Sequence, residues 1–527
     1  MDAHCIRHTD LPHTSKLFAD YLYHFDRVAR FYAHSPFDAE GIARAAAGIE
    51  YPAERRAELV ASLAEQNPGS PSLELLAREG TVAVVTGQQV GLFSGPAYTI
   101  YKALTAARMA RRLSENGIPA VPVFWLATED HDFAEVDHSW VFDDAHRPVK
   151  LQVINGNGNG QHPVGRIAPR EFPVEALREL LRGLPFGDEA AALVEASYAP
   201  GRTMGEAFRA LLQSLVGKYG VLFLDPLAPA VREIAAPMLR SAVQVAPEIV
   251  RDLLERNKAL EAAGYHAQVH VEEKTSLVFL LDESGRRIPL RRENHSYAGR
   301  DRRFTPEALA ERAAALSPNA LLRPVIQDYI LPTLAYVAGP AELAYLAQSA
   351  VIYGRLLGRM PVVMPRAGFT LLDEGSRKLM DRYGLRIEDF FGGEEALRER
   401  VASRLIPPDL ARRFREATEQ TTRLLEGLRA EVKAFDPTLD AALGKSEAKM
   451  LYQLGKMERK VAREALRRQE RASGEASRLY SLIYPNKHLQ ERVYSILPFL
   501  ARHGLDLLDR IYEGIHLDCP DHIVRTV

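Results

Sequence analysis

Cysteine is nearly absent from this chain: Cys5 and Cys519 are the only two among 527 residues. That excludes a disulfide framework and any cysteine-rich zinc or iron–sulfur site, and makes a reducing cytoplasm the expected location. An excess of either charge is also absent. Lys and Arg number 67 and Asp and Glu 69, a formal net charge of -2. A general binder of nucleic acid or of an anionic membrane needs a basic excess, so neither partner is expected. No uninterrupted apolar run reaches the roughly 18–20 residues of a membrane span. The opening residues Met1 to His8 carry no apolar stretch of the kind a secretory signal needs. What remains is ordinary globular composition, 46% hydrophobic and 26% charged. At about 100–200 residues per domain, the length suggests two to four folding units.

Residues 15–80 read as helices. Leu17, Tyr21, Phe25, Val28 and Phe31 recur at threes and fours, a helical packing face. The pattern changes at Thr81–Val85, a β-branched run followed by the glycine-rich segment Thr86–Pro96. A helix is predicted from Ala97 to Leu113, stopped by Asn116-Gly117, and Pro119–Ala127 is apolar again. Strand, glycine-rich loop, helix and strand make a βαβ unit, hence an α/β fold with a parallel sheet covered by helices. The near-continuous apolar strand suits a sheet buried on both faces. Asn155–Gly160 alternates Asn and Gly and reads as a surface loop. Helices are expected over about 173–217. Strands are expected at Tyr219–Asp225, Gln268–Val271 and Ser276–Leu281, with a last one at Pro361–Pro365. From about residue 375 strands are expected to vanish. Leu410, Phe414, Ala417, Thr421, Leu424 and Leu428 step by fours and threes. After Asp436-Pro437 the stepping resumes at Leu439, Leu443, Ser446, Met450, Leu454, Met457 and Val461. Two such helices imply an antiparallel hairpin whose narrow seam packs on its own mate or on a second subunit.

Three constellations could carry chemistry. Gly87, Gln88, Gln89, Gly91, Ser94, Gly95, Tyr98 and Lys102 lie between the first strand and its helix. Backbone N–H groups and a helix N-terminus there favour an anion, and glycines allow close approach. No Gly-Lys-Ser/Thr follows, so this is not a Walker-type loop, and it is not a G-x-G-x-x-G. Glu129, Asp130, His131 and Asp132 open an acidic block reaching His138 at the end of the second strand. Such a block could hold an ammonium group, act as a general base, or ligate a metal. Gly339-Pro340-Ala341 repeats the Gly95-Pro96-Ala97 helix start, with proline where its missing N–H costs little. Two such starts suggest two helix N-termini aimed into one cleft. Gln327, Asp328, Glu342 and Arg366 are its candidate wall residues.

At these motifs the chain resembles the BshC family, cysteine ligases of bacillithiol biosynthesis. The resemblance rests on Thr86–Lys102, Pro122–His138, Gly264–Gln268, Arg323–Asp328, Ala338–Glu342 and Leu489–Val493. It implies a Rossmann-like core akin to nucleotidyl transferases and class I aminoacyl-tRNA synthetases. It further implies connecting insertions and a C-terminal helical coiled-coil domain that pairs two subunits into a homodimer. The expected division is a helical segment over 1–80, the α/β core over 81–375 with insertions at about 150–320, the coiled coil over 376–480, and a tail over 481–527 returning to the core. The implied reaction joins the cysteine carboxylate to the amine of glucosaminyl-malate.

Forming an amide from a free carboxylate in water is uphill, so an activating group is required. In synthetase-like folds it is ATP, acting through an acyl-adenylate. The glycine-rich loop suits a phosphate and the acidic block suits the substrate amines, with His131 the expected base and Asp130 and Asp132 the ammonium holders. Neither class I signature occurs literally: Ser94–Tyr98 takes the place of the first without its histidine pair. A preactivated cysteine donor therefore stays open beside adenylation. Two other classes are alternatives: a metal-dependent hydrolase using the Glu129–His138 cluster, and a non-catalytic coiled-coil scaffold.

Overall fold

The computed structural model describes residues 3–154, 161–293, 296–300 and 302–527. The Asn155–Gly160 run lies outside the described residues. The central sheet has five parallel strands, β1 (Val82–Gln89), β2 (Ala120–Ala127), β3 (Leu222–Leu224), β4 (Thr333–Ala338) and β5 (Val362–Pro365). Their order is β5-β4-β1-β2-β3. Side chains alternate between two covered faces. Ala83, Val85, Val123 and Trp125 pack with Tyr21, Leu59 and Leu63 on one face. Val82, Val84 and Ala120 meet Met109 and Leu113 on the other. From β1 the chain builds outward through β2 and β3, then returns to the other side of β1 for β4 and β5. That reversal makes a switch point between β1 and β4, and open α/β sheets bind ligands beyond the carboxyl ends of the strands there. Helix α1 (Tyr98–Glu115) joins β1 to β2, and helix α2 (Pro340–Leu356) joins β4 to β5.

Three expectations change. Only Lys16–Tyr23 of the first apolar stripe is helical; the chain breaks at His24 and continues as two short 3-10 turns. Leu17, Tyr21, Val28 and Phe31 are nevertheless buried. Gln268–Val271 forms no strand, because the backbone of Val269 is served by a side chain. Its N–H donates to Gln348 Oε1 at 2.9 Å, and its carbonyl accepts from Gln348 Nε2 at 2.8 Å. Strands also do not end at Pro365. His522–Thr526 lies between Ala3–Ile6, antiparallel, and Phe369–Leu372, parallel, and so brings the two ends of the described chain together.

The C-terminal hairpin consists of α3 (Pro408–Phe435) and α4 (Leu439–Arg468). Asp436 Oδ1 closes the turn by accepting from the backbone N–H and the hydroxyl of Thr438, both at 2.8 Å. Arg429 bridges to Glu447 at 2.6 Å across the hairpin. The apolar stripe divides. Phe414, Ala417, Thr421, Leu443, Leu454 and Val461 are half-buried, and Leu425 is buried. Leu410, Leu424, Leu428, Leu439, Met450 and Met457 face outward.

Candidate active site

The ends of β1 and β2 lie so close that β1 needs glycine: a Cβ on Gly87 would meet the Trp125 carbonyl oxygen at 2.9 Å. Beyond the switch point opens a cleft of about 570 Å³, lined among others by Gly87, Gln88, Gln89, Tyr98, Lys102, Gly339, Glu342 and Arg366. Glu129 and Asp130 from the end of β2 lie on its other side, with Arg287 and Phe279 from the insertion.

One end is a network of buried cations. Lys102, 2% exposed, pairs with Glu342 and donates to the Gly87 carbonyl and to Gln88 Oε1, both at 3.0 Å. Burial lowers the Lys102 pKa, against the raising pull of Glu342. Burial pushes Glu342 up, but Lys102 and the Gly339 N–H outweigh it and hold the carboxyl below its ordinary range. The other Glu342 oxygen accepts from Tyr336 Oη at 2.7 Å. Arg323 donates to Tyr345 Oη at 2.7 Å and to Gln327 Oε1 at 3.0 Å. Arg366 grips Glu491 with both Nη atoms, and Glu491 also accepts from the Phe369 N–H at 2.9 Å.

The other end carries two carboxylates, Glu129 and Asp130, beside the cation of Arg287. Glu129 is buried, its carboxylate 3.1 Å from Arg232 Nη1, and burial raises its pKa although Arg232 and Arg287 pull it down. Asp130 accepts from Gln89 Nε2 at 2.6 Å and from the His131 N–H at 2.7 Å. His131 and Asp132 are not among the lining side chains. Arg287 Nη1 lies 3.2 Å from His131 Nδ1, and the imidazole lies beside Phe279. An arginine can only donate, so this Nδ1 is an acceptor and the ring proton sits on Nε2. Asp132 is exposed. His138 pairs with its neighbour Asp137 at 2.8 Å, so the acidic block is divided among separate partners. Among the described residues no three His, Cys, Asp or Glu side chains gather as a metal ion would require.

Gly91, Ser94 and Gly95 are buried outside the cleft. Phe93, Ser94 and Gly95 have φ of 52°, 71° and 64°, an unusual left-handed run that neighbouring groups hold in place. The Phe93 N–H donates to Tyr198 Oη at 2.8 Å, the Ser495 hydroxyl to the Phe93 carbonyl at 2.9 Å, and the Ala97 N–H to the Tyr494 carbonyl at 2.7 Å. At the start of α2, the Gly339 N–H is taken by Glu342 at 2.8 Å. One N–H at each helix start thus has an internal acceptor; Gly339, Pro340 and Ala341 at the start of α2 line the cleft, whereas Gly91, Ser94 and Gly95 before α1 do not. Gln327 and Asp328 lie fully buried behind Arg323, where Asp328 bonds to Gln327 and Tyr353.

Residues 1–367 match the family model "Bacillithiol biosynthesis BshC, N-terminal Rossmann-like domain", and residues 369–525 match "Bacillithiol biosynthesis BshC, C-terminal coiled-coil domain". This chain belongs to the BshC family. A relative from Solibacter usitatus is 57% identical over 527 residues, covering 100% of both chains. One from Koribacter versatilis is 39% identical over 99% of both, and one from Salinibacter ruber 34% identical over 97% of this chain and 96% of its own. All three bear the name "Putative cysteine ligase BshC". Family membership agrees with the parallel sheet and the helical hairpin, and no helix among the described residues is long and apolar enough to cross a membrane.

Sequence reasoning gave no role to several cleft groups, Arg323, Arg492, Arg287 and Phe279 among them. Arg323 and Arg492 stood inside motifs quoted for the resemblance, Arg323–Asp328 and Leu489–Val493, without a role. Arg287 and Phe279 carried no signal, since only the folding of the insertion over the sheet edge brings them to the cleft.

Proposed function

We propose that this protein is a ligase that joins the cysteine carboxylate to the amine of glucosaminyl-malate. The observation that carries the reading is the cleft at the switch point, which presents the carboxylates of Glu129 and Asp130 at one end and Lys102, Arg323, Arg366 and Arg492 at the other. Glu129 and Asp130 suit the ammonium groups of cysteine and of the amino sugar. Lys102, Arg366 and Arg492 suit the malyl carboxylates or a nucleotide phosphate. ATP is the activating co-substrate, and its chemistry is to turn the cysteine carboxylate into an acyl donor with a good leaving group. The residues fit a polyanion through side-chain cations, not through a phosphate loop.

Glu129 lines the cleft, and burial raises its pKa above the ordinary carboxylate value; its position makes it the better-placed base for the attacking amine. Asp130, held by Gln89, orients the ammonium group before its proton is lost. His131 supports this wall through Arg287. The outward apolar face of α3 and α4 supports pairing of two copies as a homodimer.

The test is incubation of the purified protein with cysteine, glucosaminyl-malate and ATP with magnesium, followed by mass spectrometry for the amide. AMP as co-product indicates adenylation and ADP an acyl phosphate. Amide formed without ATP from a cysteine thioester identifies a preactivated donor. No amide under any of these conditions refutes the ligase reading.

A further inference from the structure

The cations of the cleft are not equally satisfied. Lys102 has Glu342, and Arg366 has both oxygens of Glu491. Arg323 has two tyrosine hydroxyls and a glutamine oxygen. Arg492 differs: among the described residues no carboxylate, carbonyl or hydroxyl bonds to its guanidinium, which lies 5.9 Å from the centre of the Tyr98 ring. The Arg366 guanidinium is 5.3 Å from the same ring.

Nor is Arg492 loosely placed. It sits on the turn Gln490–Val493, riveted on both sides. Gln490 accepts from the Leu371 N–H at 2.7 Å and donates to the carbonyls of Leu371 and Leu482 at 2.9 and 3.0 Å. Glu491 is locked to Arg366. The backbone that bears Arg492 is therefore fixed while its charged head is left open to the cleft. Five cations and only three carboxylates line this cleft among the described residues. Arg492 is exposed, so in the free protein water solvates its guanidinium, and a ligand oxyanion entering the cleft finds it without a competing carboxylate.

We infer that Arg492, with Arg366 near the same Tyr98 ring, is the seat for a ligand oxyanion, a carboxylate of the acceptor or a phosphate of the nucleotide. Arg366 precedes the domain boundary at 367–369 and Arg492 lies beyond it. The seat is thus shared between the Rossmann-like unit and the coiled-coil unit. This inference rests on the cleft being the substrate site proposed above.

Isothermal titration of the full-length protein with malate, with inorganic phosphate and with ATP tests it, using Arg492→Ala, Arg492→Lys and Arg492→Glu, each checked for folding by circular dichroism. A guanidinium–oxyanion bond of this kind corresponds to about a 10–100-fold change in affinity. Arg492→Ala should weaken one ligand by that factor, with Lys intermediate because it cannot bond as a fork, and Glu abolishing binding. Loss confined to malate assigns the seat to a carboxylate. Loss of phosphate and ATP with malate unchanged assigns it to the nucleotide. Equal binding by wild type and Arg492→Ala, or no oxyanion bound by wild type up to about 10 mM, overturns the inference. The amide assay separates this result from the ligase reading. A protein that forms the amide but binds equally in Arg492→Ala keeps its function and loses the seat, whereas one that binds through Arg492 but makes no amide keeps the seat and loses the function.

Discussion

Arg366 and Glu491 show how single residues hold this site together. Their side chains are 7% and 2% exposed, so water screens little of the interaction between them. Burial opposes charge on both, yet Glu491 holds Arg366 firmly protonated, and Arg366 holds the Glu491 carboxyl below its ordinary range. Removing one partner of such a pair strands the other, which typically costs about 3–5 kcal/mol. Glu491→Gln should therefore lower unfolding stability by about 3 kcal/mol in urea titration at pH 7, and a change below about 0.5 kcal/mol would show that solvent replaces the carboxylate. The same scale separates two candidate bases. Glu129→Gln should lower turnover by about 10²–10⁴-fold, the usual range for a general base, with His131→Asn falling less. Single-turnover coupling measures both, and a larger loss in His131→Asn would return the base role to the imidazole. From sequence alone His131 was the natural choice, because its ordinary pKa lies near 6.5. What the sequence could not show is Arg287, 156 residues away, which lies 3.2 Å from Nδ1 and favours Glu129 in the proposal above.

Elements were legible in proportion to how local their cause was. The βαβ unit around Gly87 and the two long helices follow from periodicities that short windows contain. The strand His522–Thr526 was not legible, because its partners come from Ala3–Ile6 and Phe369–Leu372. Gln268–Val271 looked like a strand and is not, because one glutamine from α2 satisfies its backbone. The hairpin stripe was read correctly as apolar, but one seam cannot bury all of it. Leu424 and Leu428 face outward at 67% and 44% exposure, with Met450 and Met457 outward on the second helix. A face of this kind is covered when a second copy packs on it. Leu424→Asp combined with Leu428→Asp should shift the protein from dimer to monomer in sedimentation velocity. Both positions are exposed, so the fold should survive. A wild-type protein that sediments as a monomer at micromolar concentration would discard the dimer.

At the scale of the whole molecule, the Rossmann-like and coiled-coil units meet around a buried histidine that sequence periodicity could not reveal. His146 is fully buried in a turn with φ of 60°. Arg478 and Asp373 of the C-terminal unit lie 3.3 and 3.5 Å from its ring nitrogens. Burial, with Arg478 and Arg502 beside it, pushes the imidazole down to about 4, although Asp373 and Asp143 oppose this. The unfolded chain takes up a proton below about pH 6.5, while the folded protein does not until about pH 4. Stability from this group is therefore complete above 6.5 and is lost as the pH falls from 6.5 toward 4. The loss at pH 5 should be about 2 kcal/mol relative to pH 7. Asparagine tolerates left-handed backbone, so His146→Asn should keep the turn and remove that part of the pH dependence. Urea midpoints at pH 7 and pH 5 for both proteins measure it. If the two proteins lose stability equally between these pH values, the acid sensitivity lies elsewhere, and the contact between the two units does not depend on a neutral His146.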